Sequence, residues 1–205
     1  GDVYKRQVFA NKGFLSEYRK GKQVASFDLR KYSALQGSHN HQNVCAAYAA
    51  VRTLGVGPNS VKKALASFNG LSHRSQLVAE IGGVVFINDS KATNVDSAMK
   101  ALKTFSQVRW ICGGQQKEED ITRLNNVISN VKKAYIIGSD TTKFSSQISC
   151  ELEICNTMER AVKAAFEDAI DGETILLAPA AASFDQYSSF EERGEDFVNE
   201  IKNLI

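Results

Sequence analysis

Apolar and polar positions follow a regular alternation of strands and helices from about residue 72 to the end of the chain. Short apolar runs bounded by turn residues predict strands at 76–81, 84–87, 108–112, 134–137, 152–154 and 174–177. Helical spacing predicts helices that begin near 94, 120, 141 and 157, and a last helix at about 186–204. Gly82 and Gly83 predict a tight hairpin between the first two strands. The fold predicted is therefore α/β, with a Rossmann-like, mostly parallel sheet and helices on both faces.

The first third of the chain has a different pattern. Strand-like runs stand among charged residues in 1–36, and we expect no separate core there. Helices are predicted at 39–54 and from residue 58 onward, each with apolar residues on one face. Because the pattern changes to strands afterwards, we predict two domains, residues 1–71 and 72–205.

Composition narrows the class of protein. The chain has 205 residues, 43% of them hydrophobic, and 25 basic against 23 acidic residues give a net charge of +2. So small a charge argues against nucleic-acid or membrane-surface binding and favours small-molecule partners. No apolar run approaches the roughly 18 residues of a membrane span. The four cysteines show no close pairing, so we expect reduced thiols and a cytoplasmic location. We also expect a monomer.

Loops directly follow three of the predicted strands, at 89–94, 113–117 and 178–183, and each carries at least one polar side chain. Loops that follow parallel strands emerge at one edge of the sheet, where open α/β sheets bind their ligands. Together these segments offer two lysines, serine and threonine hydroxyls, one carboxylate and several backbone amides. That set suits a small anionic amino acid beside a nucleotide phosphate.

Four segments carry a family resemblance. They are GSHNHQN at 37–43, DSKATN at 89–94, GGQQK at 113–117, and APAAASFDQ at 178–186 continued by FEERG at 190–194. With these segments, in this order, the chain resembles the Mur ligases, the ATP-dependent amide ligases of bacterial cell-wall synthesis, and among them those that add D-glutamate. The resemblance runs from about residue 30 to the C-terminus.

The resemblance implies two groups of ligand-binding residues. Those expected to bind D-glutamate are Lys117, Thr93, Ser183, Phe184 and Phe190. Those expected on the ATP side are Asn40, Asn43, Arg74, Asp89 and Lys91. The lysine and hydroxyls would bind carboxylate oxygens, the asparagines would lie near the adenine, and the arginine would lie on the phosphates or at a hinge, because its fork pairs with phosphate oxygens.

Six of these residues have a plainer alternative. Lys117 could be a solvated surface lysine, and the hydroxyls of Thr93 and Ser183 could cap helices. Asn40 could likewise be the N-cap of the helix that follows it. The two phenylalanines, at 184 and 190, could simply belong to the core.

Two positions depart from the family pattern. Ala178 and Ala181 stand where serine and cysteine are expected, which puts in doubt any hydrogen bond from those side chains. The three histidines, at 39, 41 and 73, have no cysteine or carboxylate at ligand spacing, so no metal site is predicted.

The phosphate loop GxxxxGK[ST] does not occur in the sequence. Its amides and lysine hold the β- and γ-phosphates of ATP in many nucleotide-binding enzymes. In the resembled family it lies upstream, together with the Mg²⁺ ligands and the catalytic residues, so none of these residues is expected here. We therefore expect a fragment, with residues 1–71 from the end of the central ATP-binding domain and residues 72–205 as the C-terminal domain. Residues 1–7 lack an initiator Met, and we expect a truncated reading with a cloning or sequencing scar at its start.

The resemblance also implies a reaction. The parent enzyme would join D-glutamate to UDP-N-acetylmuramoyl-L-alanine with ATP and Mg²⁺, through an acyl phosphate attacked by the D-glutamate amine. The fragment alone is expected to be inactive. Two alternatives stay open: another Mur ligase or a folylpolyglutamate synthetase, which the DSKATN segment argues against, and a non-catalytic nucleotide-binding module.

Overall fold

The structure is a computed structural model that describes residues 6–35 and 37–205. Contacts divide the chain into two compact units, Gly1–Gly70 and Leu71–Ile205. The sequence pattern placed its boundary between residues 71 and 72. The scar expected at residues 1–7 lies largely outside the described residues.

The first unit combines a three-stranded antiparallel sheet with two helices. Its strands, in the order β1-β2-β3, are β1 (Arg6–Asn11), β2 (Phe14–Arg19) and β3 (Lys22–Asp28). Two short 3-10 turns follow, at Leu29–Lys31 and Ser33–Leu35, and then the helices α1 (Ser38–Thr53) and α2 (Pro58–Ala66). Gly55 adopts a φ of 87°, a left-handed conformation that suits the end of α1.

The strands of the first unit share their core with α1. Leu15 of β2 and Phe27 of β3 belong to a buried cluster with Val44 and Tyr48 of α1. The sequence pattern missed β2 because its second inward position is Glu17, a charged residue that interrupts the apolar alternation.

Glu17 is accommodated in this core because its carboxylate is fully paired. It accepts hydrogen bonds from the side chains of Arg6, Arg19, Arg52 and Tyr48. Burial alone would raise the pKa of Glu17, but the hydrogen bonds outweigh it and lower the pKa to about 2. Glu17 therefore joins β1, β2 and α1 through charged hydrogen bonds.

An open groove runs between α1 and α2. It has a volume of ≈ 420 Å³ and is lined mainly by apolar side chains: Leu35, Val44, Ala47, Val51, Val61, Ala64, Leu65 and Phe68. The helical spacing correctly predicted the apolar face of α2, yet no residue of this helix is buried. Short helices gain most of their stability from packing. In the described part of the first unit, the apolar face of α2 is thus only partly packed.

The second unit alternates strands and helices. Its strands are β4 (Gln76–Ile81), β5 (Val84–Asn88), β6 (Val108–Gly113), β7 (Val131–Ile137), β8 (Leu152–Asn156) and β9 (Thr174–Leu177). Its helices are α3 (Val95–Thr104), α4 (Thr142–Gln147), α5 (Met158–Asp168) and α6 (Phe190–Lys202), with a 3-10 helix at Thr122–Asn130.

The six strands form one sheet in the order β4-β5-β9-β6-β7-β8. β4 pairs with β5 in antiparallel fashion, and all other neighbours are parallel. Both faces are covered, because alternate residues of β6 enter different clusters: Trp110 packs with α3 and the 3-10 helix, and Ile111 packs with α5 and α6. The predicted α/β fold is confirmed, including the hairpin at Gly82 and Gly83.

Two predicted helices differ in the structure. The last helix begins at Phe190 instead of residue 186, because the N–H groups of Gln186 and Tyr187 donate to the carbonyl of Ser183 and close a turn there. The segment predicted as a helix from residue 120 is the 3-10 helix at Thr122–Asn130.

Candidate functional site

The carboxyl ends of β5, β9 and β6 lie side by side, because these strands are neighbours in the sheet. Each is followed by one of the three loops found in the sequence: the first loop (89–94) after β5, the second loop (113–117) at the end of β6, and the third loop (178–183) after β9. The structure therefore brings the three loops together at the edge expected from the sequence.

Backbone hydrogen bonds join the third loop to both neighbours. Ala180 donates to the carbonyl of Ala92 in the first loop at 2.9 Å. Gln115 of the second loop and Ala182 of the third exchange two hydrogen bonds of 2.9 and 2.8 Å. Ala180 has a φ of 56°, a left-handed conformation that costs a non-glycine residue about 1–2 kcal/mol. The third loop is thus held in a strained conformation by its neighbours.

Gly114 allows the second and third loops to approach this closely. A Cβ atom at this position would lie 2.4 Å from the carbonyl oxygen of Ala182 and 3.2 Å from Nη1 of Arg193. Its φ of 121° is also one that side chains other than glycine rarely adopt. Glycine is therefore required here by both space and backbone conformation.

Arg193 of α6 acts as a clamp, because it donates hydrogen bonds to both the first and the third loop. Its guanidinium is buried and donates from Nε to Ser90 Oγ at 3.0 Å, from Nη2 to Ser90 O at 2.9 Å, and from Nη1 to Ala181 O at 3.1 Å. Burial lowers the pKa of Arg193 to about 10, although the nearby charge of Asp185 acts to raise it. Arg193 remains a cation at neutral pH, and its hydrogen bonds fix the spacing of two loops.

Arg193 lies within the FEERG segment, but the sequence predicted no role for it. A signal was present, because Arg193 lies four and eight residues before Phe197 and Ile201 on the buried face of α6. A charge on the apolar face of a helix indicates a buried polar contact.

Thr93, Lys117 and Ser183, one from each loop, are the donors predicted to bind the amino acid. Lys117 is exposed, Thr93 is half-buried and Ser183 is 2% exposed. Within residues 6–35 and 37–205, none of these side chains has a hydrogen-bond or ion-pair partner. Two hydroxyls and an ammonium on adjoining loops are thus free to donate hydrogen bonds to a carboxylate.

Helix capping does not account for Thr93 and Ser183. The cap of α3 is Asn94, whose side chain accepts from the N–H of Ser97 at 2.9 Å. The cap of α6 is Ser189. The capping alternative for both hydroxyls is therefore wrong.

The two phenylalanines lie in different surroundings. Phe184 is 67% exposed, so the core alternative is wrong for this residue. Phe190 is half-buried, and its ring centroid lies 3.8 Å from Nζ of Lys91. A cation over an aromatic face is attracted by about 0.5–2 kcal/mol. This contact therefore joins Phe190, which is predicted to bind the amino acid, to Lys91, which is predicted to bind ATP.

Asp89 lies beside a strap formed by residues 73–75. Its Oδ1 accepts from the N–H of Ser75 at 3.2 Å, and the N–H of Lys91 donates to the carbonyl of His73 at 3.0 Å. Burial raises the pKa of Asp89 to about 6, although the Ser75 hydrogen bond and the charge of Arg74 act in the opposite direction. Arg74 itself is exposed at the same place.

Asp89→Asn is expected to stabilise the second unit above pH 6. The folded-state pKa of Asp89 is raised from 3.8 to about 6, so the native carboxylate loses stability as pH rises through this window, by at most about 3 kcal/mol. Asparagine keeps an acceptor for Ser75 and carries no charge. Urea denaturation followed by the fluorescence of Trp110, the chain's one tryptophan, should show a higher midpoint at pH 7.5 and no difference near pH 3.5.

Asp140→Asn provides the control for this test. Asp140 is exposed and accepts from the N–H of Thr142, which lowers its pKa, so the variant should not be stabilised. A lower midpoint for Asp89→Asn at pH 7.5 would contradict the effect assigned to burial.

Asn40 and Asn43 belong to the first unit, whereas the other eight predicted site residues belong to the second. They lie one turn apart in α1, and Asn43 also lines the groove between α1 and α2. The N-cap position of α1 is Gly37. The capping alternative for Asn40 is therefore wrong.

The two alanines that depart from the family pattern are buried and contribute through their carbonyls. Ala178 O accepts from Nε1 of Trp110 at 2.8 Å, and Ala181 O accepts from Arg193. Both contacts use the backbone, so they do not depend on the side chain at either position.

No helix in residues 6–35 and 37–205 is long and apolar enough to cross a membrane. The same residues contain no group of three or more His, Cys, Asp or Glu side chains that could hold a metal ion.

An open, mostly parallel sheet with polar loops gathered at its carboxyl edge defines the ligand-binding class of α/β domains. Within that class, residues 73–181 match the family model described as "Mur ligase, glutamate ligase domain". The match spans slightly more than half of the chain, which therefore belongs to the Mur ligase family, as the four sequence segments predicted.

Curated relatives and solved structures agree with this assignment. The chain is 58% identical over 199 residues to the UDP-N-acetylmuramoylalanine–D-glutamate ligase of Ruegeria pomeroyi, and 60% identical over 199 residues to that of Cereibacter sphaeroides strain ATH 2.4.9. Each match covers 97% of this chain and 43% of the relative, so the chain spans less than half of their length. The MurF ligase of Thermotoga maritima in complex with ADP is similar in fold, with a TM-score of 0.66 at 15% identity over 97% of this chain and 46% of that one.

Proposed function

We propose that this chain is part of an ATP-dependent ligase that joins D-glutamate to UDP-N-acetylmuramoyl-L-alanine in cell-wall precursor synthesis. The observation that carries the proposal is a set of donors on the three loops that have no partner among the described residues: Lys117, Thr93 and Ser183. An amino acid with two carboxylates needs several donors and a positive charge at one place. The names of the relatives at 58% and 60% identity support D-glutamate over the amino acids of other Mur ligases.

The first loop and the strap at residues 73–75 are suited to the nucleotide side of the site. Arg74 and Lys91 supply positive charge for phosphate oxygens, and Asp89 supplies a carboxylate that can accept from hydroxyl groups. The charges of these residues suit ATP binding. The ADP complex of the MurF ligase of Thermotoga maritima, which has a similar fold, supports this proposal. ATP supplies the phosphoryl group that activates a substrate carboxylate. We expect Mg²⁺ to be held mostly by residues upstream of this chain, and Asn40 and Asn43 to contact the adenine.

We assign residues 1–71 to the end of a central ATP-binding domain and residues 72–205 to a C-terminal domain. The family match at 73–181 lies wholly within the second unit, which supports the second assignment. The open apolar groove between α1 and α2 supports the first, because more of a central domain would cover it. We further expect a monomer in the cytoplasm.

Replacing Lys117 by Ala in the full-length protein tests the proposed function. The change removes a charge-assisted hydrogen bond to a substrate carboxylate, worth about 1.5–3 kcal/mol. The KM for D-glutamate should therefore rise about 10- to 150-fold. The KM values for ATP and for the UDP-sugar substrate should change much less, as measured by phosphate release with each substrate varied in turn.

Two further variants make this test specific. Lys100→Ala removes an exposed lysine of α3 and should leave all three constants unchanged. Asp89→Ala should act mainly on the KM for ATP. If Lys117→Ala left the KM for D-glutamate unchanged, or raised all three constants equally, Lys117 would be a solvated surface lysine and the proposed amino-acid site would be wrong.

A further inference from the structure

Glu118, the residue after Lys117, reaches from the second loop to the first. Its Oε1 accepts from the N–H of Val95, the first residue of α3, at 3.1 Å. Asn94 accepts from the N–H of Ser97 in the same turn. A helix N-terminus attracts anions because its first N–H groups have no partner within the helix. Here a carboxylate of the protein itself already occupies that position.

The backbone on the N-terminal side of Lys117 is also anchored. Gln115, two residues before it, is paired with Ala182 of the third loop through two backbone hydrogen bonds. Lys117 therefore lies on a short span whose ends are attached to the loops that carry Thr93 and Ser183. Its own side chain has no partner among the residues that the structure describes. Since a lysine side chain has a flexible stem, these two anchors must determine where its ammonium can reach.

We propose that Glu118 is a positioning residue for amino-acid binding. Its hydrogen bond to α3 holds Lys117 between the Thr93 and Ser183 loops. This role rests on the proposed function, because it requires Lys117 to bind the amino acid.

The alternative is that Glu118 only stabilises α3. A cap of that kind would contribute to the free energy of unfolding without favouring one substrate over another. A positioning residue acts through Lys117, so its loss should affect D-glutamate selectively and should not add to the loss of Lys117.

The test uses the full-length protein with four variants: Glu118→Ala, Glu118→Gln, Lys117→Ala and the double variant Lys117→Ala/Glu118→Ala. Glu118→Ala should raise the KM for D-glutamate about tenfold, because a lysine misplaced by about 1 Å binds poorly. Glu118→Gln should stay close to wild type, because its amide oxygen still accepts from Val95. The double variant should be no worse than Lys117→Ala alone.

Glu119→Ala is the matched control. Glu119 is exposed, and among the described residues only its backbone carbonyl makes a hydrogen bond, which the variant retains. It should leave the KM for D-glutamate unchanged. Should Glu118→Ala fail to fold, as judged by circular dichroism, Glu118→Asp replaces it: its shorter side chain should raise the same KM by a smaller factor.

The outcomes separate the two proposals. If Lys117→Ala raises the KM for D-glutamate but Glu118→Ala does not, or if their effects multiply in the double variant, the positioning role is wrong and the amino-acid site stands. Equal losses in Glu118→Gln and Glu118→Ala would also overturn it. If Lys117→Ala itself has no effect, the proposed amino-acid site is wrong, and the role of Glu118 falls with it.

Discussion

Replacing Arg193 by Met is expected to lower the free energy of unfolding of the second unit by about 3 kcal/mol or more, because three charge-assisted hydrogen bonds are lost. The carbonyls of Ser90 and Ala181 would be left without this donor in the interior. Removing a desolvated charge offsets only part of that cost, since methionine cannot donate to either oxygen. In the full-length protein, kcat/KM for the proposed substrate D-glutamate should fall about 100-fold, because shifts of about 1 Å in substrate-positioning groups have effects of that size.

Arg193→Lys and Arg160→Met complete this test. Lysine keeps the charge but cannot reach Ser90 and Ala181 with the same planar fork, so most of the loss should remain. Arg160 is an exposed residue of α5, and its replacement should change neither stability nor activity. Urea denaturation followed by Trp110 fluorescence gives the free energy. An Arg193→Met protein with wild-type stability and activity would show that the clamp does not hold the loops.

Glu17→Gln is expected to destabilise the first unit by about 3 kcal/mol, because it leaves three arginines close together around an uncharged group. Hydrogen exchange measured by mass spectrometry should show faster labelling in β1, β2 and α1, with the second unit as an internal reference.

Asp28→Asn is the control. Asp28 forms an exposed pair with Arg30, and asparagine can still accept from the Arg30 N–H, so labelling should change little.

The same residue predicts a pH dependence. The folded-state pKa of Glu17 is about 2, below its ordinary value of 4.5, so its contribution to stability is complete above pH 4.5 and is lost as pH falls towards 2. Hydrogen exchange in the wild-type chain should therefore accelerate in the first unit over that interval, after correction for the intrinsic rate. The Glu17→Gln variant should lack this component. The same acceleration in both proteins would assign it to other groups.

The sequence predicted the second unit well because its local signals agree with one another. Val84, Ile111 and Leu177 lie in apolar runs of the length of a buried strand, and Asn94 stands where a helix needs a cap. The six strands were found within three residues of their ends. The first unit was predicted less well, since Glu17 is acceptable in β2 only because Arg52 and Tyr48 approach from α1.

The sequence by itself determined the class of fold, the family and the three loops, because these depend on residue types at fixed spacing along the chain. Only the tertiary structure determined how the loops are held. Arg193 lies 103 residues from Ser90, and Glu118 lies 23 residues from Val95. No periodicity connects positions so far apart. Their hydrogen bonds exist because the order β5-β9-β6 places the ends of distant strands side by side.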